Sequence, residues 1–345
     1  MNKMSQMNAV IIGCGAIGPI HAEAITNSDA AHLYGVCDVL PERAEALALR
    51  YGCRAFTSYA QVLADEAVHS VHICTPHYLH AEMAVQAAAA GKQILLEKPI
   101  AMNVLEARAV SNAVRTAGVS CCAILQNRLN PCIEAAKSLI DDGSYGKLLG
   151  IKAFLTWKRT AEYYVSADWR GKWATEGGGL LINQAVHMLD LLYYLGGEVE
   201  AVKGHIDTRV LQEVIEVEDT AEATFYYKDG KRGWLYATNG YSEDSPFFIE
   251  MHLEQGVLRY IDNKLILKSN GEEQILADDM QCSKSSIGKA YWGSGHAKLI
   301  DQFYQTLAGH LGSYSSLQDA AYSMGILDAI YASSNNDRRE MIELF

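Results

Sequence analysis

The run Ala9-Val10-Ile11-Ile12 passes directly into Gly13-Cys14-Gly15-Ala16-Ile17-Gly18 and then into His21-Ala22-Glu23-Ala24-Ile25. An apolar strand that leads through three spaced glycines into a helix has few folds open to it. Gly13 permits a tight turn, Gly15 lets the backbone come close to a ligand, and Gly18 lets helix and strand pack closely. The helix N-terminus then offers backbone N–H groups to a diphosphate. The pattern predicts a dinucleotide cradle, with Gly13, Gly15, Ala16, Ile17 and Gly18 at the phosphates.

The next apolar run, His32-Leu33-Tyr34-Gly35-Val36-Cys37, ends at Asp38, twenty residues beyond Gly18. A carboxylate there accepts hydrogen bonds from the adenosine ribose and repels the extra phosphate of NADP, and Val39 and Leu40 bring no cation to offset it. NAD is therefore expected over NADP. Arg43, in the first turn of a helix opening at Pro41, is the residue placed to argue otherwise, with a solvated surface arginine as its plain reading.

A chain of 345 residues suits two domains. Its net charge of −12 excludes a basic nucleic-acid groove or a patch for anionic membranes, so a small-molecule partner is expected. No apolar stretch reaches the eighteen or so residues of a membrane span, and the N-terminus reads as no signal peptide, which makes the cytoplasm the expected location. Eight cysteines fall largely in apolar strands and read as reduced, buried thiols. His69, His72, Cys74, His77 and His80 crowd together, but there is no Cys-x-x-Cys pair and a strand cannot converge them, so no metal site is expected.

From residue 7 to 126 short apolar runs near 8–12, 32–37, 53–56, 70–74, 93–97 and 119–125 alternate with helical stretches at Pro41 to Tyr51, Ala81 to Ala90 and Asn103 to Ala117. That rhythm predicts an α/β domain, a doubly wound parallel sheet over residues 1–126. Beyond it the pattern changes to a helix near Pro131 to Asp141, a strand at 147–155, a helix opening at Gly177-Gly178-Gly179, and alternating segments with hairpin signals at Lys228-Asp229-Gly230 and Asn270-Gly271. Residues 127–345 therefore read as an α+β domain with a large open, mainly antiparallel sheet, one face of it left for a partner subunit. Helical patterns at about 296–310 and 317–333 are free to pack back on the first domain.

Candidate chemistry collects at predicted strand ends. Thr75-Pro76 and His80 follow the fourth strand and border the cofactor, with helix capping or structural hydrogen bonding as the alternative for His80. Glu97-Lys98-Pro99 ends the fifth strand, where a lysine partly withdrawn from water donates to a substrate oxygen and stabilises charge developing on it. Arg128, just after the sixth strand, is a cleft residue with a structural rival reading. Asn183 and His187 stand four apart on one predicted helical face, with Asp190 beside the histidine. Histidine as a residue type titrates near working pH, so His187 suits removal of a hydroxyl proton, although by itself a lone helical histidine is more often structural. Tyr163 and Tyr164 are candidates for holding a sugar face or hydroxyl.

Taken together, Gly13-x-Gly15-x-x-Gly18, Thr75-Pro76, Glu97-Lys98-Pro99, Trp169-Arg170-Gly171, Gly177-Gly178-Gly179 and Asn183 with His187 and Asp190 make the chain resemble the Gfo/Idh/MocA family along nearly its whole length. The resemblance implies a Rossmann domain, a second domain whose sheet mediates homodimers or homotetramers, and reversible hydride transfer on sugars, cyclitols or their derivatives. It implies catalytic roles for Lys98 and His187 and a place near nicotinamide or substrate for Trp169 and Arg170. Many members carry aspartate where this chain has Asn183. An amide orients a hydroxyl but takes no proton, so the base role falls on His187. Two other readings stand beside this one: a glycosidase that oxidises its sugar transiently with bound NAD, and a non-catalytic dinucleotide-sensing regulator.

Overall fold

The computed structural model describes residues 6–282, 295–310 and 312–344. Its contacts divide the chain into two compact units. The first holds the chain through Ala101, Leu105–Gln126 and a later stretch that ends at Ala320; the second holds the remainder.

In the first unit β1 (Met7–Ile12), α1 (Gly18–Thr26), β2 (Ala31–Cys37), α2 (Pro41–Tyr51), β3 (Arg54–Phe56), α3 (Tyr59–Ala64), β4 (Ser70–Ile73), α4 (His77–Ala89), β5 (Gln93–Leu96), α5 (Val104–Ala117) and β6 (Cys121–Ala123) follow in order. The strands form one sheet, β3-β2-β1-β4-β5-β6, parallel throughout. Helices cover both faces, which is why the strands read as continuous apolar runs. Val10, Ile11, Ile73, Leu95 and Leu96 are fully buried. Strand order reverses between β1 and β4, and the crevice beyond their C-terminal ends is where such sheets bind ligands. The apolar run is broken on β4 by Ser70 and His72, both fully buried.

The second unit runs through α6 (Pro131–Asp141), β7 (Leu148–Thr156), α7 (Ala161–Val165), α8 (Trp173–Glu176), α9 (Leu180–Asn183), α10 (Val186–Gly196), β8 (Val199–Asp207), β9 (Thr220–Tyr227), β10 (Arg232–Thr238), β11 (Phe248–Leu253), β12 (Gly256–Ile261), β13 (Lys264–Ser269), β14 (Glu272–Asp278) and α11 (Asp279–Cys282). From the far end of the chain α12 (Gly295–Leu307) joins the first unit, against α1. Helix α13 (Leu317–Asn336) and β15 (Glu340–Met341) complete the described chain. Nine strands order as β14-β13-β12-β11-β7-β10-β9-β8-β15, all pairs antiparallel except β7 with β10. Both expected hairpins form. Asn270 (φ 53°) and Gly271 (φ 84°) take the left-handed conformations that a two-residue turn matching the strand twist requires. Helices α6 and α10 pack on this sheet, while Phe154 and Trp234 stand 41% and 51% exposed.

Two expectations are corrected. The helix after the glycine triplet is two helices: the Ala185 N–H reaches back five residues to Leu180 O at 2.8 Å, and the helical ladder restarts at Val186. Asn183 thus ends one helix and His187 begins the next. The helix expected from Ala81 starts at His77, so His80 lies within its first turn.

Candidate active site

The glycine turn is built to admit a diphosphate. Gly13 has φ +101°, and a Cβ there would lie 2.5 Å from the Cys74 carbonyl oxygen; one on Gly18 would lie 2.7 Å from that of Gly13. Gly15 has nothing within 4 Å of the corresponding position, so space remains where the phosphates approach. Ala16 is exposed and Ile17 is the N-cap of α1, whose first turn has Pro19 and no side-chain cap, so no side chain competes for the N–H groups an anion needs. Asp38 closes the turn: its Oδ2 accepts from Cys14 N at 2.8 Å and its Oδ1 from Leu40 N at 3.0 Å. Each oxygen keeps a lone pair for a ribose hydroxyl. Arg43 is exposed on the first turn of α2. Burial pushes the Cys14 thiol up to about 12, so this cysteine beside the turn stays a protonated wall and not a nucleophile.

Beyond β4, Thr75 and Pro76 are half-buried and lead into α4. The His80 ring is committed to backbone: Nδ1 lies 2.6 Å from Pro99 O and Nε2 2.8 Å from Thr75 O. Burial lowers its basicity, and neither ring nitrogen is turned to a ligand, which favours the structural reading of His80. Lys98 is half-buried at the exit of β5, and the Lys98–Pro99 bond is cis. The Lys98 N–H donates to Glu97 Oε2 at 3.1 Å. Glu97 is itself buried, pointing away from a cofactor role and into a core of histidines. His21 Nε2 lies 3.0 Å and His296 Nε2 3.5 Å from Glu97 Oε1. His21 Nδ1 lies 2.8 Å from His72 Nδ1, and His72 Nε2 2.7 Å from the Tyr304 hydroxyl, which is 2.7 Å from Ser70 Oγ. Among the described residues, His21, Glu97 and His296 are the one group whose donor atoms lie within 4.8 Å of one another, and hydrogen bonds to a shared carboxylate account for that spacing. Of the histidines first weighed as a zinc set, His72 and His80 point as above, and His69 Nδ1 accepts from Asn8 N.

In the second unit a polar cluster surrounds Asn183. Its Nδ2 donates to Glu176 Oε1 at 2.6 Å, and Glu176 Oε2 accepts from Gly171 N at 2.5 Å. Gln184 Nε2 donates to the Tyr163 hydroxyl at 3.1 Å, and the Tyr163 ring lies 4.4 Å from the Arg170 guanidinium. Arg170 also donates to Ser166 Oγ and stands over Trp169 at 5.3 Å. Tyr164 is buried against Leu211, Ile215 and Val217, and its hydroxyl accepts from Asn239 Nδ2, so it belongs to the core and not to a sugar site. Arg128 is likewise core: its Nε and a terminal nitrogen donate to the two oxygens of Asp190 at 2.9 and 2.6 Å, both partners buried. Asp190 therefore serves Arg128, and its Oδ1 also accepts from the Ser323 hydroxyl at 3.2 Å. His187 is half-buried in the first turn of α10.

The structure thus gathers Gly13, Gly15, Gly18 and Asp38 beyond β1 and β2, places Glu97 and Lys98 at the exit of β5, and sets Asn183, Tyr163 and Arg170 in the polar cluster with Glu176. Sequence reasoning missed Glu176, His21, His296 and Glu218. Glu218 accepts from Gly179 N, Leu181 N and the Tyr331 hydroxyl, and burial raises its carboxyl to about 7. The available signal was polarity out of place: an acid immediately before a glycine triplet, and a histidine on the packed face of the first helix.

Comparison with known proteins agrees with this geometry. Residues 7–124 match the model of an oxidoreductase family with an NAD-binding Rossmann fold, and residues 133–259 match the GFO/IDH/MocA C-terminal domain. The levoglucosan dehydrogenase of Pseudarthrobacter phenanthrenivorans is 26% identical over 324 residues, 85% of this chain and 82% of that protein. The NAD(+)-dependent scyllo-inositol 2-dehydrogenase of Bacillus subtilis is 32% identical over 203 residues, a match that spans little over half of each, 58% and 57%. The WlbA dehydrogenase of Bordetella pertussis, solved with NADH and UDP-GlcNAcA, superposes with a TM-score of 0.85 at 28% identity, covering 99% of this chain and 100% of that one. The glycine turn, the acidic end of β2 and both matched segments have one reading: the chain belongs to the Gfo/Idh/MocA family of NAD-binding oxidoreductases.

Proposed function

We propose that the protein is an NAD-dependent dehydrogenase that interconverts a secondary alcohol and a ketone on a sugar, cyclitol or sugar derivative. The observation that carries this reading is the Asp38 carboxylate, pinned by Cys14 N and Leu40 N beside an open Gly15, which suits an unphosphorylated adenosine ribose. NAD, when bound, supplies the hydride chemistry. Lys98 donates to the reacting oxygen and stabilises its developing charge. His187 takes the hydroxyl proton in the oxidative direction and returns it in the other. Asn183 holds the hydroxyl by a hydrogen bond; Tyr163, Arg170 and Trp169 line the substrate side, as aromatic faces and fixed donors do for carbohydrate rings.

The test is NADH formation followed by absorbance across inositols, aldoses, sugar acids and nucleotide sugars, with NADP in parallel. Stoichiometric NADH with NAD and little NADPH is expected. Lys98→Ala and His187→Ala should each lower turnover at least about a hundredfold, with the NAD dissociation constant nearly unchanged. Full turnover in both variants would refute the assignment. Cleavage of an aryl glycoside without accumulated NADH would establish the glycosidase reading instead.

A further inference from the structure

The Tyr163 hydroxyl sits against two side-chain amides whose orientations are fixed from behind. Asn239 follows β10, its backbone N–H donating to Asp219 O at 2.8 Å and its backbone carbonyl accepting from Arg159 N at 2.9 Å. Its side chain, 1% exposed, commits both Nδ2 hydrogens, to Tyr164 Oη at 3.1 Å and to Gln184 Oε1 at 3.2 Å. Gln184, buried at the end of α9, therefore turns its Nε2 to Tyr163 Oη, at 3.1 Å. The reverse polarity would face the Asn239 oxygen to those two partners and put its NH2 where Oδ1 now lies, buried with no partner among the described residues. Two stranded N–H bonds are costlier than one stranded carbonyl oxygen. A second amide bears on the same hydroxyl: Asn183 Nδ2, held by Glu176 Oε1 at 2.6 Å, lies 3.5 Å from Tyr163 Oη.

We propose that Gln184 and Asn239 are positioning residues that set the Tyr163 hydroxyl as a hydrogen-bond donor to an acceptor oxygen of the substrate. The inference rests on the place given to Tyr163 on the substrate side above. A phenol has one hydrogen and cannot give it to an atom that is itself donating. With Gln184 and Asn183 both presenting N–H bonds, that hydrogen has no acceptor inside the cluster. Burial holds this phenol above its ordinary range, so the proton stays on the oxygen. An ammonium group on the substrate would find the phenol oxygen already accepting, with the Arg159 and Arg170 guanidinium groups 5.5 and 4.4 Å from the same ring. A hydrocarbon there would leave the O–H unpaired. The position therefore favours a substrate oxygen with a lone pair to offer, charged or neutral.

Gln184→Glu tests this without removing the phenol, because its carboxylate accepts from Asn239 with one oxygen and from Tyr163 with the other, turning the hydroxyl inward. Kinetics on the full chain with NAD and myo-inositol, D-glucose, D-gluconate or D-glucuronate should show Tyr163→Phe and Gln184→Glu each lowering kcat/KM about tenfold, mostly through KM, with the double variant no worse than either. Asn239→Asp should give the same loss from behind Gln184, by making the glutamine turn its NH2 inward and its oxygen to Tyr163. A wild-type KM in Gln184→Glu, or losses that multiply in the double variant, would overturn the proposal, since a residue that only supports the fold has no reason to share one loss with Tyr163. The direction of the hydroxyl is read without substrate from the tyrosine doublet in Raman difference spectra against Tyr163→Phe, which isolate one phenol among 19 tyrosines. The intensity ratio should fall to that of a strong donor only in Gln184→Glu; the same low ratio in wild type would mean that Tyr163 already donates to Gln184, and would overturn the proposal even if Asn239→Asp fails to fold. Should wild type form NADH with none of the four alcohols, the dehydrogenase reading fails on these substrates separately, and the Raman comparison still decides the hydroxyl.

Discussion

A carboxylate has no proton to give, and that fixes which way the Asn183 amide faces. With Nδ2 donated to Glu176, the carbonyl oxygen is the end turned elsewhere, the orientation that suits a hydroxyl donor. Glu176→Gln would offer an NH2 group to the same amide and let it turn over. Its kcat/KM should fall about tenfold, roughly 1.4 kcal/mol of transition-state stabilisation, with NAD affinity unchanged in a fluorescence titration. The place of Lys98 at the exit of β5 is legible in the sequence because a strand end is a local signal, whereas the division of Asn183 and His187 between α9 and α10 is not. Nor is Glu176, since nothing in the string says that it folds back onto Gly171 N. Arg128 and Asp190 lie 62 positions apart, and only the fold turns two candidate site residues into a buried bidentate pair.

Among elements, the Gly177-Gly178-Gly179 segment is held by a side chain from outside it. Glu218 takes the N–H groups of Gly179 and Leu181, which tie the start of α9 to the strand β9 that follows Glu218. Unfolded, this carboxyl ionises near its ordinary 4.5; folded, burial lets it keep its proton to about 7. Between those pH values the native state binds more protons than the unfolded one, so its contribution to stability is present at low pH and is lost as pH rises. Urea denaturation at a series of pH values should show a slope in this window shallower by about 1.4 kcal/mol per pH unit in Glu218→Gln. The hairpins at Gly230 and Gly271 were readable because turn chemistry is written in two or three residues. The break between α9 and α10 was not, because apolar residues recur on both sides of Asn183-Gln184 as they would along one helix and only the hydrogen-bond ladder shows the interruption.

For the whole molecule, the second sheet leaves Phe154 and Trp234 on an open face, and no described helix is long and apolar enough to cross a membrane. A homodimer or homotetramer formed through that face is the expected assembly, and Trp234→Asp should then lower the mass found by sedimentation equilibrium while NAD binding persists. The change of rhythm near residue 126 falls where the chain passes from the first contact-defined unit to the second. The first unit is not contiguous: the helical pattern left free to pack back on it becomes α12, which brings His296, Phe303 and Tyr304 into its core from about 170 positions downstream, and what the string hides is which side chains of that helix enter the core. Gene dissection at the apparent boundary would therefore fail. A fragment stopping at Gln126 would leave the packed face of α1 bare and His72 without its phenol, and would precipitate on expression. A split protein supplying the C-terminal segment as a separate peptide is the arrangement under which the nucleotide-binding half could be recovered.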